Sequence, residues 1–289
     1  MSASVFDVWR PIDLHAHSNV SDGTEPPAEV MRQAALAGLG TIALTDHDSL
    51  DGWDEAGRAA REEGLTLIPG VEFSTQIGAG SVHMLGYLVD PNYEPLVDTM
   101  NAVRVSRLTR AERMVERIAR DYPLQWHDVL AVTEEGATVG RPHIADALAL
   151  KGIVADRNEA FATILHWQGG YYQPHEAPHP TDAIALIRAA GGVAVLAHPG
   201  SRGRRAMTDG NLELLVDAGL QGLEVGHREN DELNRSLLRG YARKWNLLMT
   251  GSSDYHGAGK PNRLGENTTE PEQLQRIIDL ATGSEPVTP

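Results

Sequence analysis

The chain of 289 residues contains no cysteine. Disulfides and thiolate metal ligands are therefore excluded, and any bound metal must be held by histidine, aspartate and glutamate. That donor set favours harder ions engaged in hydrolysis over structural zinc. No apolar run approaches the ~18 residues of a membrane span, and the N-terminus has neither the charged region nor the long apolar stretch of a secretion signal. A cytoplasmic protein without a membrane partner is expected, and no protein partner is evident. Lysine is confined to Lys151, Lys244 and Lys260, and the formal net charge is −15. General affinity for long nucleic acids rests on phosphate neutralisation by basic side chains, so it is disfavoured; a local cationic site for one phosphate is not.

What is present is a chain able to bury a full core, with 41% hydrophobic residues. Seven short apolar runs, at 10–15, 40–45, 65–69, 81–89, 192–197, 220–226 and 246–251, alternate with helical patterns. That alternation implies an α/β architecture with parallel pairing. Helix punctuation agrees: Pro26-Pro27 opens a helix closed by Gly38, Asp51 is placed to cap one closed by Gly64, Thr181 one ending at Gly191, and Thr269 with Pro271 starts the last. Between about residues 95 and 178 the strands disappear, which predicts a helical insertion (96–177) within a barrel made of 1–95 and 178–289. Its first helix, roughly Pro95 to Arg120, gathers Leu96, Met100, Val103, Ala111, Met114 and Ile118 near one face. Arg104, Arg107, Arg110, Arg113 and Arg117 read as a solvated face paired with Glu112 and Glu116.

The chemistry collects where the runs end. His15, His17 and Asp22 follow the first run, Asp46-His47-Asp48 the second, Glu72 the third, His198 the fifth, and Asp254 with His256 the seventh. In an extended segment His15 and His17 project to one side, about 7 Å apart. In a parallel β/α barrel all strand C-termini open on one face, so residues remote in sequence converge on one pocket. His83 fits less neatly, standing at the start of its run; an antiparallel or reversed-register strand, or a ligand reaching in from the entry side, would bring it to the same site. Taken singly, Asp46 reads as a helix N-cap, His198 as a turn residue and Glu72 as a surface carboxylate.

In order, His15-Ala16-His17, Thr45-Asp46-His47-Asp48, His198-Pro199 and Ser253-Asp254-Tyr255-His256 resemble the four motifs of the PHP (polymerase and histidinol phosphatase) superfamily. The segment Val139-Gly140-Arg141-Pro142-His143 and the stretch from Ala189 to Gly200 resemble its small stand-alone bacterial phosphoesterases. The resemblance implies a distorted (β/α)7 barrel with three divalent ions, zinc, manganese or iron. One would be held by His15, His17, Glu72 and Asp254, a second by Glu72, His83 and His198, and a third by Asp22, His47 and His256. No protein side chain is assigned a catalytic role apart from this metal centre.

A metal-dependent phosphoesterase acting on small nucleotide-like monoesters, such as nucleoside 3′,5′-bisphosphates or nucleoside monophosphates, is the function expected. A 5′ to 3′ exonuclease on short RNA or DNA oligonucleotides, a histidinol-phosphate phosphatase and a non-catalytic metal- or partner-binding module are the alternatives. Arg141, whose planar guanidinium suits bidentate phosphate contact, is expected to bind substrate together with His143 and, more weakly, Arg202. His127, His166, His175, His179 and His227 read as surface or core residues. Trp167, Tyr171 and Tyr172 are read as packing the insertion, with base stacking as the other use.

Overall fold

The computed structural model describes residues 10–78, 80–200 and 208–289. In chain order the elements are β1 (Ile12–Asp13), α1 (Pro27–Leu36), β2 (Thr41–Leu44), α2 (Trp53–Glu62), β3 (Thr66–Ile77), β4 (Gly80–Tyr87) and α3 (Glu94–Ile118). They continue with α4 (Trp126–Leu130), α5 (Arg141–Leu150), α6 (Arg157–Ala162), α7 (Pro180–Ala189), β5 (Val193–Leu196), α8 (Asp209–Asp217), β6 (Gly222–Gly226), α9 (Glu232–Lys244), β7 (Leu248–Gly251) and α10 (Pro271–Leu280).

The seven strands form one sheet in sequential order from β1 to β7. Pairing is parallel except around β4, which runs antiparallel to both β3 and β5. The wholly parallel sheet expected from strand–helix alternation is therefore corrected, because β3 and β4 form a hairpin, with Ile77 opposite Gly80 and no helix between them. The sheet comes close to closing where Ala16 bridges Tyr255, with His17 N donating to the Tyr255 carbonyl at 2.8 Å and Asp254 N to that of His15 at 2.9 Å. Asp13 fastens the same seam by accepting from Ser253 N and Gly265 N, both at 2.9 Å. Two strands differ from their apolar runs in length: β1 keeps two residues of ladder, and β3 continues to Ile77, so Glu72 lies inside it.

Short helix-to-strand returns follow from local chemistry. Pro27 starts α1 at a position where a missing N–H costs nothing. The helix ends at Gly38 with φ +82°, Gly38 N donating to Ala35 O and Leu39 N to Ala34 O. Gly64, φ +67°, closes α2 by the same pair of bonds, to Arg61 O and Ala60 O. The caps at the other ends depart from expectation. Gly52 rather than Asp51 precedes α2, His179 rather than Thr181 caps α7 by accepting from Thr181 N, and Glu270 precedes Pro271 of α10. The Thr269 hydroxyl instead bonds the Gly251 backbone, which the sheet end leaves available.

The barrel interior is filled by Ile12, Leu14, Ala43, Ile68, Leu85, Tyr87, Val193, Val195 and Leu248, all buried. A separate apolar core, from Ala111 to Leu165, joins α3 to α4, α5 and α6. The latter set packs over the barrel mouth because α3 is long enough to serve two clusters: Leu96, Met100 and Val103 of its first half pack with Val71, Phe73, Met84 and Ile184 on the outer side of the sheet, while Ala111, Met114, Val115 and Ile118 belong to the separate core.

Candidate metal centre

Eight of the nine metal ligands expected from the motifs line one mouth, in or just after β1, β2, β3, β5 and β7; the ninth, His83, arrives from β4. Because β4 is antiparallel, its early residues lie where the other strands end, and His83 pairs in register with Ser74. Asp48, His198 and Asp254 adopt positive φ (51°, 27° and 55°), a conformation costly for side-chain-bearing residues and concentrated here at the strand ends.

Glu72 is the hub. Its Oε2 lies 3.3 Å from His15 Nε2, 3.1 Å from His17 Nε2 and 3.1 Å from His47 Nδ1. The other oxygen, Oε1, lies 2.8 Å from His83 Nδ1 and 2.9 Å from His198 Nε2. Asp254 Oδ1 approaches His15 Nε2 (3.5 Å) and His17 Nε2 (3.4 Å), while Asp22 Oδ1 is 3.1 Å from His256 Nε2. Three groups have donor atoms mutually within 4.8 Å: His15, His17, Glu72 and Asp254; His17, Asp22, His47 and His256; and His47, Glu72 and His83. The pair His15 and His17 stands much closer at its tips than strand rise suggested, with Nε2 atoms 3.0 Å apart, because both rings tilt inward.

Tautomers explain why such a cluster calls for cations. His256 Nδ1 sits 2.9 Å from the Asp254 carbonyl, which only accepts, so Nδ1 carries the proton and Nε2 turns a lone pair toward Asp22. Burial, with the Lys260 charge, holds the His256 imidazole down to about 4. Asp22 is held well below the usual carboxylate range: burial opposes this, but His256 and His47 outweigh it. Two buried acceptors thus face each other, and neither Asp22 Oδ1 nor His256 Nε2 has a hydrogen-bond partner. A metal ion is the group that satisfies both. At the first pair, His15 Nδ1 bonds Glu224 Oε1 at 2.9 Å and His17 Nδ1 bonds Ser21 Oγ at 3.3 Å. The Ser21 hydroxyl spends its own proton on Asp46 Oδ1 at 2.6 Å, so both rings point Nε2 lone pairs inward when neutral. A proton could serve there, since against burial the nearby carboxylates raise His15 well above its ordinary value and His17 to about 9.

Several participants escaped the sequence reading. Glu224 is wholly buried; besides His15 it accepts from His198 N at 2.7 Å and from the Ser252 hydroxyl, which positions two histidines of the cluster at once. A carboxylate within the apolar run Leu220–Val225 was the available signal. Asp46 does not cap α2 but accepts from Ser18 N, Ser18 Oγ and Ser21 Oγ. Lys260 Nζ lies 2.8 Å from Asp254 Oδ2, and His227 Nε2 3.5 Å from the same oxygen.

The mouth opens into a cavity of about 410 Å³ whose lining includes Asp22, His47, Glu72, His83, His198, Asp254 and His256 on one side and Arg107, Arg110, Arg141, Phe161 and His175 on the other. The solvated arginine face is thus corrected in part. Arg113 and Arg117 are exposed, but Arg107 and Arg110 are buried and turned to the cavity. Arg107 donates to Ser74 Oγ at 2.6 Å and to Asp48 Oδ2 at 3.3 Å, tying α3 to the barrel. His175, read as a surface or core residue, lies here too. Arg141 stands at the start of α5 with its guanidinium over the rings of Phe161 (5.4 Å) and Tyr172 (5.5 Å). His143 does not line the cavity: its Nδ1 accepts from Gly140 N at 3.0 Å and closes the first turn of α5. Arg202 lies outside the described residues. Trp167 is 67% exposed, and the Tyr171 hydroxyl bonds Asp121.

Residues 13–169 match the PHP domain. The chain is 34% identical to a 3′,5′-nucleoside bisphosphate phosphatase of Chromobacterium violaceum, an alignment covering 92% of this chain and 94% of the relative. It is 32% identical to a 5′-3′ exoribonuclease of Haemophilus influenzae, covering 89% and 94%. Among solved structures, that of a protein from Bifidobacterium adolescentis assigned to the metal-dependent phosphoesterases superposes with a TM-score of 0.92 at 43% identity, over 94% of this chain and 97% of that one. With its motifs assembled at one barrel mouth and about nine-tenths of its length matched by such relatives, the chain belongs to the PHP family.

Proposed function

We propose that this metal-dependent phosphoesterase hydrolyses phosphate monoesters of small nucleotide-like molecules, a nucleoside 3′,5′-bisphosphate above all. The observation that carries the reading is the cavity itself, with carboxylates and histidines on the barrel side and guanidinium groups on the insertion side. Its volume suits a ligand of nucleotide size. His15, His17, Asp22, His47, Glu72, His83, Asp254 and His256, whose donors fall into three overlapping groups, would hold divalent ions, with His198 joining them beside Glu72 Oε1. Mixed nitrogen and oxygen donors accommodate zinc, manganese or iron. When bound, such ions supply the acidity that makes water a nucleophile near neutral pH and the charge that offsets a phosphate dianion.

The chain's own residues do the rest. Glu224 and Ser21 hold His15 and His17 in the tautomer that leaves Nε2 available. Lys260 is kept charged by Asp254 against its burial, and so adds positive potential at the floor of the cavity. Arg141, stacked on two rings and lining the cavity, is the group proposed to grip substrate phosphate. In the overall hydrolysis the P–O ester bond breaks, the water oxygen bonds to phosphorus, and one proton of that water passes to the leaving alkoxide while the other stays with the phosphate. Residues 96–177 act as the cover, walling off the side along which a long strand would run. A net charge of −15 supports the small substrate in the same sense.

Steady-state kinetics on adenosine 3′,5′-bisphosphate beside a short 5′-phosphorylated RNA, at fixed salt and metal, test the reading. The bisphosphate is expected to show the higher kcat/KM. Should the oligonucleotide be preferred by more than about tenfold, a gap of ~1.4 kcal/mol in transition-state binding, a 5′ to 3′ exonuclease replaces the phosphatase.

A further inference from the structure

Asp22 lies farther along the chain from its strand than any other carboxylate or histidine of the cluster, in the loop between Asp13, the end of β1, and Pro27, the start of α1. The loop folds on Ser18, whose carbonyl accepts from Ser21 N at 3.1 Å and Gly23 N at 3.0 Å. It is also fastened to the turn that carries His256: Thr24 N donates to the His256 carbonyl at 3.2 Å, and Ala258 N to Thr24 Oγ1 at 2.9 Å. The helical insertion grips the same loop twice. Thr138 N donates to the Val20 carbonyl at 3.0 Å, and Arg157 Nη1 to the Asp22 carbonyl at 3.3 Å.

Arg157 is aimed at that carbonyl by its other nitrogens. Nε and Nη2 form a fork on the two carboxylate oxygens of Asp146 in α5, which fixes the plane of the guanidinium and turns Nη1 toward the barrel. Gly259 leaves the room this needs, since a Cβ there would collide with Nη1 and lie 2.8 Å from Cζ. Gly259 N in turn donates to the His256 carbonyl at 3.1 Å, so the guanidinium passes between the segment bearing Asp22 and the turn bearing His256. Those two side chains meet as unpartnered acceptors, Asp22 Oδ1 and His256 Nε2, 3.1 Å apart. Two such acceptors repel until a cation lies between them, so their backbones have to be held together from behind.

We propose that Arg157, aimed by Asp146, is a positioning residue through which the insertion holds the Asp22 loop against the His256 turn, so that the cation site of His17, Asp22, His47 and His256 is complete only while the insertion is docked. The proposal rests on the reading of the cluster as the metal centre of a phosphoesterase and deepens it, by making one ion of that centre depend on residues that lie outside the barrel and touch no ion. Such coupling is reciprocal: the ion at that site in turn stabilises the docked insertion.

Chelator-treated protein is titrated calorimetrically with manganese(II), and the binding step lost in His256→Ala identifies the site. Arg157→Met is expected to weaken that step by about tenfold or more, the lower range for groups that orient metal ligands, and to leave the other steps within about threefold of the parent. Asp146→Asn, which unlocks the fork without touching the Asp22 segment, is expected to weaken the same step by a smaller factor. Ile164→Ala is the control, for it hollows the insertion core away from Arg157; it is expected to lower Tm and to leave the step unchanged. A folded Arg157→Met protein that binds manganese as the parent does, one that weakens every step alike, or an Ile164→Ala protein that loses the same step overturns the positioning role. If Arg157→Met does not fold, Asp146→Asn decides by the same comparison. Selective loss of the step beside a metal-loaded parent that turns over no phosphate ester sinks the phosphoesterase reading and leaves the positioning role standing; turnover by the parent with every step intact in Arg157→Met does the reverse.

Discussion

The two walls of the cavity are made by different means. The barrel wall takes its side chains from strand ends whose backbones are bonded to neighbours across the sheet, and several groups of the cluster are held by another: His15 by Glu224, His17 by Ser21, His198 N by Glu224. The insertion wall takes its arginines from one face of α3 and the first turn of α5, where Arg141 lies over the rings of Phe161 and Tyr172 and Arg110 meets His175. The first arrangement fixes lone pairs to a few tenths of an ångström, as metal coordination demands; the second presents charge on flexible stems, which suits a ligand that varies in shape.

If the barrel wall carries the metals, its loss should be the most damaging. Glu72→Gln removes the whole negative charge of a carboxylate facing five histidines and turns one of its oxygens into a donor amide, and is expected to cut metal content and kcat together, by more than ~100-fold in kcat, the upper range for groups one step further out. Metal stoichiometry by elemental analysis and turnover on an aryl phosphate check it; unchanged values for both would move the metals away from Glu72. Glu224→Gln probes the layer behind. It keeps one acceptor oxygen but leaves three donors competing for it, and a loss of about 10- to 100-fold in metal affinity is expected with the fold retained. Metal-binding titrations followed by circular dichroism would show whether affinity falls without unfolding.

The insertion wall should respond more gently and in another parameter. Arg141→Ala is expected to raise KM, by about 1.5 to 3 kcal/mol in apparent binding, and to leave Tm within a few degrees. A variant kinetically identical to the parent would reduce the insertion to a structural cover. The smallest effect belongs outside both walls: Gly38→Ala, whose added methyl meets nothing within 4 Å, should cost only the ~1–2 kcal/mol of a left-handed alanine and leave metal content untouched. A chemical denaturation midpoint measures it.

Much of this was written in local pattern. Apolar runs separated by helix starts at proline and stops at Gly38, Gly64 and Gly191 announce the α/β order, because the backbone conformations that turn a helix into a strand are few. The ligands stood out for a similar reason: His15, His17, His47, His198, Asp254 and His256 interrupt or end apolar runs, where polar groups are unwelcome unless they have work in the interior. Even His83 had its place anticipated once a reversed strand was allowed.

What the sequence alone determined is therefore the set of donors and the kind of architecture that brings them to one mouth. Which charges remain uncompensated was decided only by tertiary structure. Arg107 and Arg110 are three residues apart on one helix and indistinguishable by composition or periodicity, yet Arg107 meets Asp48, 59 positions away, while Arg110 meets a neutral histidine 65 positions away. Glu224 likewise becomes the orienter of His15 across 209 positions of chain. Electrostatic compensation depends on distances of a few ångströms between groups remote in sequence, and those distances exist only after the barrel has closed and the insertion has packed over it.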